Sequence, residues 1–364
     1  MRHITAEDLD DLARGAAVLG TGGGGDPYIG KLIAAEAIRA HGPVRVVGVG
    51  EVEPSAVVLP VAVIGAPTVL LEKTPSGAEA EQVLGALQEV LGSPVRYVAC
   101  LEAGGVNSMI PLAVAARTGL PLIDADGMGR AFPEIQMVLT TLAGVAATPM
   151  ALADAHGNAS VLRTVDNRWA ERLARVTTVE MGGAAFMALY PMRGEQVAAS
   201  LVPATLSWAL ELGRAIRDAR GAHRDPARAA AAVLRGHVLF TGKVEDVARR
   251  TEGGFVRGEA CLQGLDADTG HGMVLRFQNE HLIALRDGVP VVTVPDLICV
   301  LDAETGAPVT TESMRYGARV SVIGAPCDPR WRTPQGLELT GPRYFGYDLD
   351  YRPVEELAGV PSPV

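Results

Sequence analysis

The first half of the chain alternates between short apolar runs and segments with helical periodicity. Leu9, Leu12 and Ala16 fall on one face of a predicted helix. The apolar runs Val57–Ile64 and Tyr97–Leu101 are typical of buried strands, and helical segments lie between such runs. Strands that alternate with helices form parallel sheets with helices on both faces. This half is therefore predicted to be a three-layer αβα domain with a mostly parallel sheet.

The pattern changes after about Arg163. A long helix is predicted near Ala204–Asp218, and from Val238 onward short β-prone runs are separated by turn pairs that contain glycine. This pattern indicates a second domain that is β-rich, either a barrel or a sandwich. The predicted domains are residues 1–168 and 169–364, and the fold class is α/β.

Charge and composition argue against some classes of binding partner. The chain carries 32 basic and 42 acidic side chains, a net charge of -10, without a cluster of lysine or arginine. It therefore lacks the positive patch that nucleic-acid binding needs. No apolar run is long enough to cross a bilayer, and no signal core is recognised near the start. A soluble cytoplasmic homo-oligomer with a small-molecule partner is expected, with neither a nucleic-acid nor a membrane partner.

A run of four glycines follows the first predicted helix. Consecutive glycines allow backbone N–H groups to converge on an anion or a developing oxyanion. The next helix is predicted to begin with Asp26 as its N-cap and Pro27 in its first turn, which adds a positive helix end. The alternative is a tight turn that lets two helices pack closely. The predicted substrate-binding residues of this loop are Gly22, Gly23, Gly24 and Gly25.

Two acidic loops each follow a predicted strand. One begins at Glu102 and the other contains Asp124 and Asp126. In an open α/β sheet, ligands bind at the carboxyl ends of the strands, so the three carboxylates are expected at one rim. Clustered carboxylates serve as general acid and base, or they bind a cation. The alternative for either aspartate is a structural cap on the next helix.

Further residues in these loops complete the predicted site. Arg130 is expected to neutralise the carboxylates or to hold an anionic group of the substrate. Asn107 and Ser108 follow Glu102 in its loop, and Glu72 ends another apolar run. The predicted catalytic residues are Glu102, Asp124, Asp126 and Arg130, and the further substrate-binding residues are Asn107, Ser108 and Glu72.

A metal site is left open by the sequence. No spacing typical of zinc ligands is present, and the seven histidines are scattered. A divalent cation held by carboxylates remains a hypothesis, with Asp124, Asp126 and His156 as its candidate ligands. His156 also fits a β-turn between two strands. His281 is interpreted as a structural or exposed histidine.

Seven motifs are spread along the chain: Gly20–Pro27, Glu102–Ser108, Asp124–Glu134, Phe240–Lys243, Gly253–Phe255, Pro295–Ile298 and Phe345–Asp348. Together they resemble the S-methyl thiohydantoin desulfurase family. The resemblance covers nearly the whole chain and implies an N-terminal αβα domain followed by a C-terminal β-rich domain. It also implies removal of sulfur from a thiohydantoin ring during the breakdown of histidine-derived compounds, and association with hydantoinase or oxoprolinase-type proteins.

The implied substrate suggests a mechanism. Water adds to the isothiourea-like ring carbon, and the resulting intermediate expels methanethiol. Either Asp126 or Glu102 is the expected base, and the glycine loop with Arg130 is the expected cradle for negative charge. Two alternatives stay open at this point: a hydrolase of cyclic amide or hydantoin rings, alone or as a partner subunit, and a non-catalytic binder of a hydantoin-like metabolite.

Overall fold

The computed structural model describes residues 3–65, 69, 77–252 and 255–357. These residues form two compact units. No helix among them is long and apolar enough to cross a membrane. One unit consists of Met1–Ala13, Asp26–Gly129 and Glu134–Ser207, and the other of Arg14–Gly25, Arg130–Pro133 and Trp208–Val364. The glycine loop and Arg130, although early in the sequence, are thus grouped with the C-terminal unit.

The described ranges contain α-helices and strands in the following order. The helices are α1 (Leu9–Leu19), α2 (Pro27–His41), α3 (Ala78–Leu91), α4 (Ile110–Thr118), α5 (Leu139–Leu142), α6 (Asn167–Glu180), α7 (Val197–Ser200), α8 (Thr205–Gly221), α9 (Pro226–Leu234), α10 (Pro334–Thr340) and α11 (Val354–Leu357). The strands are β1 (His3–Ile4), β2 (Val44–Val47), β3 (Val57–Gly65), β4 (Val95–Cys100), β5 (Leu122–Asp126), β6 (Met150–Ala153), β7 (Ala159–Leu162), β8 (Ala184–Ala188), β9 (Met192–Arg193), β10 (Val202–Pro203), β11 (His237–Glu252), β12 (Phe255–Gly264), β13 (Gly272–Gln278), β14 (Glu280–Arg286), β15 (Val289–Thr293), β16 (Leu297–Asp302) and β17 (Arg319–Ala325).

The sheet of the first unit is mixed. Its main strand order is β1-β2-β5-β4-β3-β8-β6-β7, with β9 and β10 paired to β3 and β5. Among the strands that the structure describes, only the central strands β2, β5, β4 and β3 pair in parallel. The prediction of a mostly parallel sheet is wrong, because β6 and β7 form an antiparallel hairpin and β8 joins β3 and β6 antiparallel. A hairpin needs only a short turn, whereas a parallel pair needs a long crossover.

The second unit contains a seven-stranded antiparallel sheet within the described residues, in the order β15-β14-β13-β12-β11-β17-β16. The two edge strands are consecutive in sequence, and only residues 294–296 join them. A flat sheet would separate these edges by roughly 29 Å at the usual strand spacing, whereas so short a link spans at most about 14 Å. The sheet must therefore curl toward a barrel. Its buried interior includes Phe240, Leu275 and Val322.

The C-terminal segment is anchored to this unit by Asp296, which is fully buried. Its carboxylate accepts hydrogen bonds from Arg332 at 2.7 Å, from the hydroxyl of Tyr351 at 3.0 Å and from the N–H of Val354 at 2.8 Å. Trp331 is also fully buried. These contacts hold residues 331–354 against the second unit.

Candidate functional site

Asp126 lies at the end of β5 and joins two loops of the first unit. Its carboxylate is 1% exposed and accepts hydrogen bonds from the N–H groups of Ala103 at 2.8 Å, Met128 at 2.8 Å and Gly129 at 2.9 Å. The loop that begins at Glu102 is thereby tied to the loop that follows β5. Because backbone donors already occupy this carboxylate, its contacts fit a structural brace better than a base that must reach water.

Asp124, two residues earlier in β5, caps a helix that is distant in sequence. Its carboxylate accepts from the N–H of Leu206 at 3.0 Å, and from the N–H of Ser207 at 3.1 Å and its hydroxyl at 2.5 Å. These donors lie in the first turn of α8, where N–H groups have no partner inside the helix. Asp124 thus caps a helix, as one alternative from the sequence proposed. The helix that it caps is α8 and not the helix that follows β5.

A pH-dependent stability is expected from Asp126. Burial raises its pKa from 3.8 to about 7, although the N–H groups of Met128 and Gly129 act to lower it. The stability that comes from this raised pKa is full below pH 3.8 and is lost as the pH rises through about 7. Since Asp126→Asn cannot ionise, its stability relative to the wild type should rise across this window by up to about 1.4 kcal/mol per pH unit.

Urea unfolding of both proteins at several pH values measures this difference. A difference that does not change with pH would mean that Asp126 keeps an ordinary pKa. In that case the backbone donors, and not burial, dominate its environment.

Glu102 has a different environment from the two aspartates. It is 8% exposed, and its Oε1 accepts a hydrogen bond from Nδ2 of Asn107 at 2.8 Å. The Asn107 amide is itself fixed on β3, because it accepts from the N–H of Val63 at 2.7 Å and donates to the carbonyl of Val63 at 3.1 Å. The strand therefore orients the amide, and the amide orients the carboxylate.

The remaining residues that the sequence predicts for the site are Ser108, Glu72 and His156. Ser108 is 2% exposed, and its hydroxyl accepts from the N–H of Gly104 at 3.2 Å, which shapes the loop. Glu72 lies outside the described residues. His156 is exposed in the turn between β6 and β7, where Asp154 accepts from its N–H at 2.9 Å, as the turn interpretation predicts.

A metal site that combines His156 with the two aspartates does not fit this arrangement. Three strands separate β6 from β5 in the sheet, which places these residues roughly 19 Å apart. No group of three or more His, Cys, Asp or Glu side chains in the described ranges is arranged to hold a metal ion. The carboxylates of Asp124 and Asp126 are instead used by N–H and hydroxyl donors.

The glycine loop belongs to the second unit, where β14 and a neighbouring threonine hold it. The N–H of His281 donates to the carbonyl of Thr21 at 2.8 Å, and the N–H of Thr311 donates to the carbonyl of Gly22 at 2.8 Å. Gly22, Gly24 and Gly25 have positive φ values of 92°, 71° and 73°. The loop is thus a fixed structure that requires glycine, and not merely a flexible hinge.

The loop leaves two N–H groups for a ligand. Within the described part of the chain, the N–H groups of Gly24 and Gly25 donate to no protein acceptor, whereas that of Gly23 donates to Gly20. The N-terminus of α2, by contrast, is already occupied: Asp26 caps it and accepts from the N–H of Tyr28 at 2.9 Å, as predicted. The donors without an acceptor in the described residues therefore lie in the loop, at Gly24 and Gly25.

Two residues behind the loop were not selected as site residues by the sequence. His281 is fully buried, and neither of its ring nitrogens has a hydrogen-bond partner in the described structure. Burial, and then the charge of Arg130, lower its pKa to about 3, so the ring is neutral. Glu280 is 3% exposed and lies directly behind Gly23. A lone Glu-His pair in a β-strand carries no spacing that would have identified it.

Alanine at Gly22 is expected to destabilise the protein by about 1–3 kcal/mol. The new Cβ would lie 2.5 Å from Cδ2 of His281, and the φ of 92° is strained for any residue with a side chain. The control is Gly221→Ala, because no atom lies within 4 Å of the new Cβ there. Thermal and urea unfolding measure both effects. A Gly22→Ala variant as stable as the control would mean that the loop is not fixed against His281.

Arg130 has the contacts of a structural clamp of the second unit, and these contacts use the donors that its predicted roles, binding substrate or neutralising the acidic loops, would need. Its side chain is 0% exposed, and the guanidinium lies 4.6 Å from the ring of Phe132. Burial lowers its pKa to about 10, so it stays charged at neutral pH. All five N–H donors of a guanidinium are used here, by the carbonyls of Ala131, Pro295, Asp296 and His281 and the hydroxyl of Thr21.

Comparisons with known proteins agree on the family. Residues 7–164 match the S-Me-THD-like N-terminal domain, and residues 165–354 match the S-Me-THD-like C-terminal domain. A protein from Chromobacterium violaceum with a crystal structure is 27% identical, with a TM-score of 0.79 over 97% of this chain and 100% of that chain. No curated protein sequence matches. The chain therefore belongs to the S-Me-THD-like family, the family of the S-methyl thiohydantoin desulfurases that its motifs predict.

Proposed function

We propose that the protein hydrolyses an S-methyl thiohydantoin-type ring, with release of methanethiol and formation of the hydantoin. Support comes from the family, whose two domain models together match residues 7–354. The observation that carries the chemical part is the Glu102 carboxylate, which an Asn107 amide fixed on β3 holds in place. Reactions that add water to a ring carbon need such an oriented base.

Glu102 is the proposed base because the Asn107 side chain, itself held on β3, fixes the orientation of its carboxylate. Asp126 accepts from three backbone N–H groups, and Asp124 accepts from the first turn of α8. Nδ2 of Asn107 donates a hydrogen bond to Oε1 of Glu102. In this proposal Glu102 acts as the base, and the two aspartates hold the surrounding loops in place.

The proposed reaction proceeds in two steps. Glu102 takes a proton from water as the water oxygen bonds to the ring carbon that carries the S-methyl group, and the electron pair of the C=N bond moves to the ring nitrogen. The carbon–sulfur bond then breaks, and the sulfur leaves with its electron pair and receives the proton held by Glu102, which gives methanethiol. The hydroxyl proton of the intermediate passes to the ring nitrogen. The ring keeps the oxygen as a carbonyl and remains closed. One water is consumed, and no oxidant or reductant is needed.

The glycine loop is the proposed cradle for negative charge. The N–H groups of Gly24 and Gly25 are suited to this task because they donate to no acceptor in the described part of the chain. Arg130 is no longer part of the cradle, since its five donors are used within the fold. The joint action of this loop and Glu102 on one substrate stays a prediction.

A substrate panel tests the function. The purified protein is incubated with an S-methyl thiohydantoin, the unmethylated thiohydantoin and the hydantoin, with thiol release and ring opening measured separately. The proposal predicts thiol release from the S-methyl compound alone and no ring opening. Ring opening of the hydantoin would instead favour the cyclic amide hydrolase. Saturable binding without product would favour a non-catalytic binder.

A further inference from the structure

Helix α6 presents its large apolar residues outward. The residues it buries are Ala170, Glu171, Ala174 and Thr178, which are small or polar. Its exposed residues include Val176 at 64% and Val179 at 66%. An amphipathic helix on a monomer normally does the reverse and buries its large apolar side chains. The outward face of α6 therefore has the composition of a face that is covered in an assembly.

The exposed apolar residues of the described structure are concentrated here. Six of the ten large hydrophobic side chains that are exposed lie between residues 161 and 179. Together they expose on the order of 600 Å², at the upper end of what the largest apolar patch of a monomer shows. We call these six side chains the α6 patch: Val161, Val165, Trp169, Leu173, Val176 and Val179.

The α6 patch continues onto the edge of a sheet. Val161 lies in β7, which ends the strand order of the first unit and, within the described residues, pairs only with β6. The outer backbone groups of an edge strand are available to another strand. An edge strand and a helix stripe that adjoin each other offer both hydrogen bonds and apolar area to one partner.

We propose that a second copy of this chain covers the α6 patch, with α6 of each copy packed antiparallel across a two-fold axis near Leu173. In such a pair, Trp169 of one copy faces Val176 of the other, because the two residues are nearly equidistant from that axis. A two-fold interface uses the same patch twice. Two such patches with a polar rim reach the roughly 1,200–2,000 Å² that stable interfaces bury.

Charge favours a second copy over other occupants. The whole chain has a net charge of -10, so most faces of two copies repel each other. Residues 159–182, by contrast, contain four arginines and three acidic residues, a net charge of +1. Two copies can therefore approach through this face without strong repulsion. A charge of +1 is also too small to hold the patch on an anionic membrane.

The experiment measures the mass of the full-length protein in solution by sedimentation and light scattering. The wild type should be dimeric, and Val176→Glu should reduce its mass by half. The matched control is Val289→Glu, because Val289 is 62% exposed and belongs to the second unit, whereas the patch belongs to the first. Circular dichroism and melting confirm that each variant is folded.

Cysteine cross-linking gives an independent readout. Oxidation of Leu173→Cys should join two copies through a disulfide, because residues beside a two-fold axis come within bonding distance, whereas Val289→Cys should not be joined. A monomeric wild type, or a mass that Val176→Glu leaves unchanged, would overturn the proposal. So would a loss of mass that Val289→Glu causes equally, or a wild-type monomer that binds lipid vesicles.

Discussion

Glutamine in place of Glu102 is expected to slow methanethiol release by about 10²–10⁴-fold, the usual contribution of a general base. The variant keeps the shape of the side chain and an oxygen that can accept from Asn107, but it cannot take a proton from water. The loop itself is held by other contacts, such as the hydrogen bond from the N–H of Ala103 to Asp126 at 2.8 Å. The melting temperature should therefore change little while turnover is lost.

Asn107 allows a matched test of the orienting role. Asn107→Ala removes the hydrogen bond to Glu102 and both bonds to Val63, so turnover should fall and the pH profile of turnover should shift as the carboxylate loses its donor. Glu304→Gln is the control, because Glu304 is exposed and lies in the second unit. Full activity in Glu102→Gln would remove Glu102 from the mechanism. Loss of activity that parallels loss of folding would make it a structural residue.

Arg130→Met is expected to lower the free energy of unfolding by at least about 3 kcal/mol, because it leaves several buried acceptors without their donor. The carbonyls of Pro295 and Asp296 and the hydroxyl of Thr21 all lose a hydrogen bond at 2.8–2.9 Å. Arg130→Lys should also be strongly destabilising, since one ammonium group cannot replace five donors in a planar array. The loss should be equal with and without substrate.

Urea unfolding measures this effect, and Arg343→Met provides the control. Arg343 pairs with Asp348 and Asp350 at 2.9 and 2.8 Å, but it is exposed, and exposed pairs contribute little. The outcome that would contradict a structural clamp is a stable Arg130→Lys protein with normal turnover and a raised KM. That result would mean that Arg130 binds the substrate, as the sequence alone predicts.

The sequence predicts those features of the fold that depend on local pattern. The alternation of strands and helices in the first half is present, and Asp26 caps α2 as its position before Pro27 predicts. The turn near Asp154 between two strands is present as the sequence predicts. The pairing of β8 with β3 could not be predicted, because antiparallel neighbours that are far apart in sequence leave no periodic signal. The mixed character of the sheet follows from these pairings.

In the candidate site, too, local sequence pattern predicts some features, whereas contacts between residues that are distant in sequence determine others. The position of Asp124 and Asp126 at the end of a strand is typical both of catalytic residues and of caps, and only the donors decide between the two. The N–H groups that donate to Asp124 belong to residues 206 and 207. Arg130 likewise draws acceptors from positions 165 and 166 residues away. Such partners are set by tertiary structure, which no motif in the neighbouring sequence encodes.

The most direct measurement of the central claim is hydrolysis of an S-methyl thiohydantoin in water enriched in ¹⁸O. If water adds to the ring carbon and methanethiol leaves, the closed hydantoin ring carries one ¹⁸O at that carbon and one methanethiol is released for each ring. A ring-opened product that retains sulfur, with ¹⁸O in a new carboxylate, would contradict the proposal and make the protein a cyclic amide hydrolase.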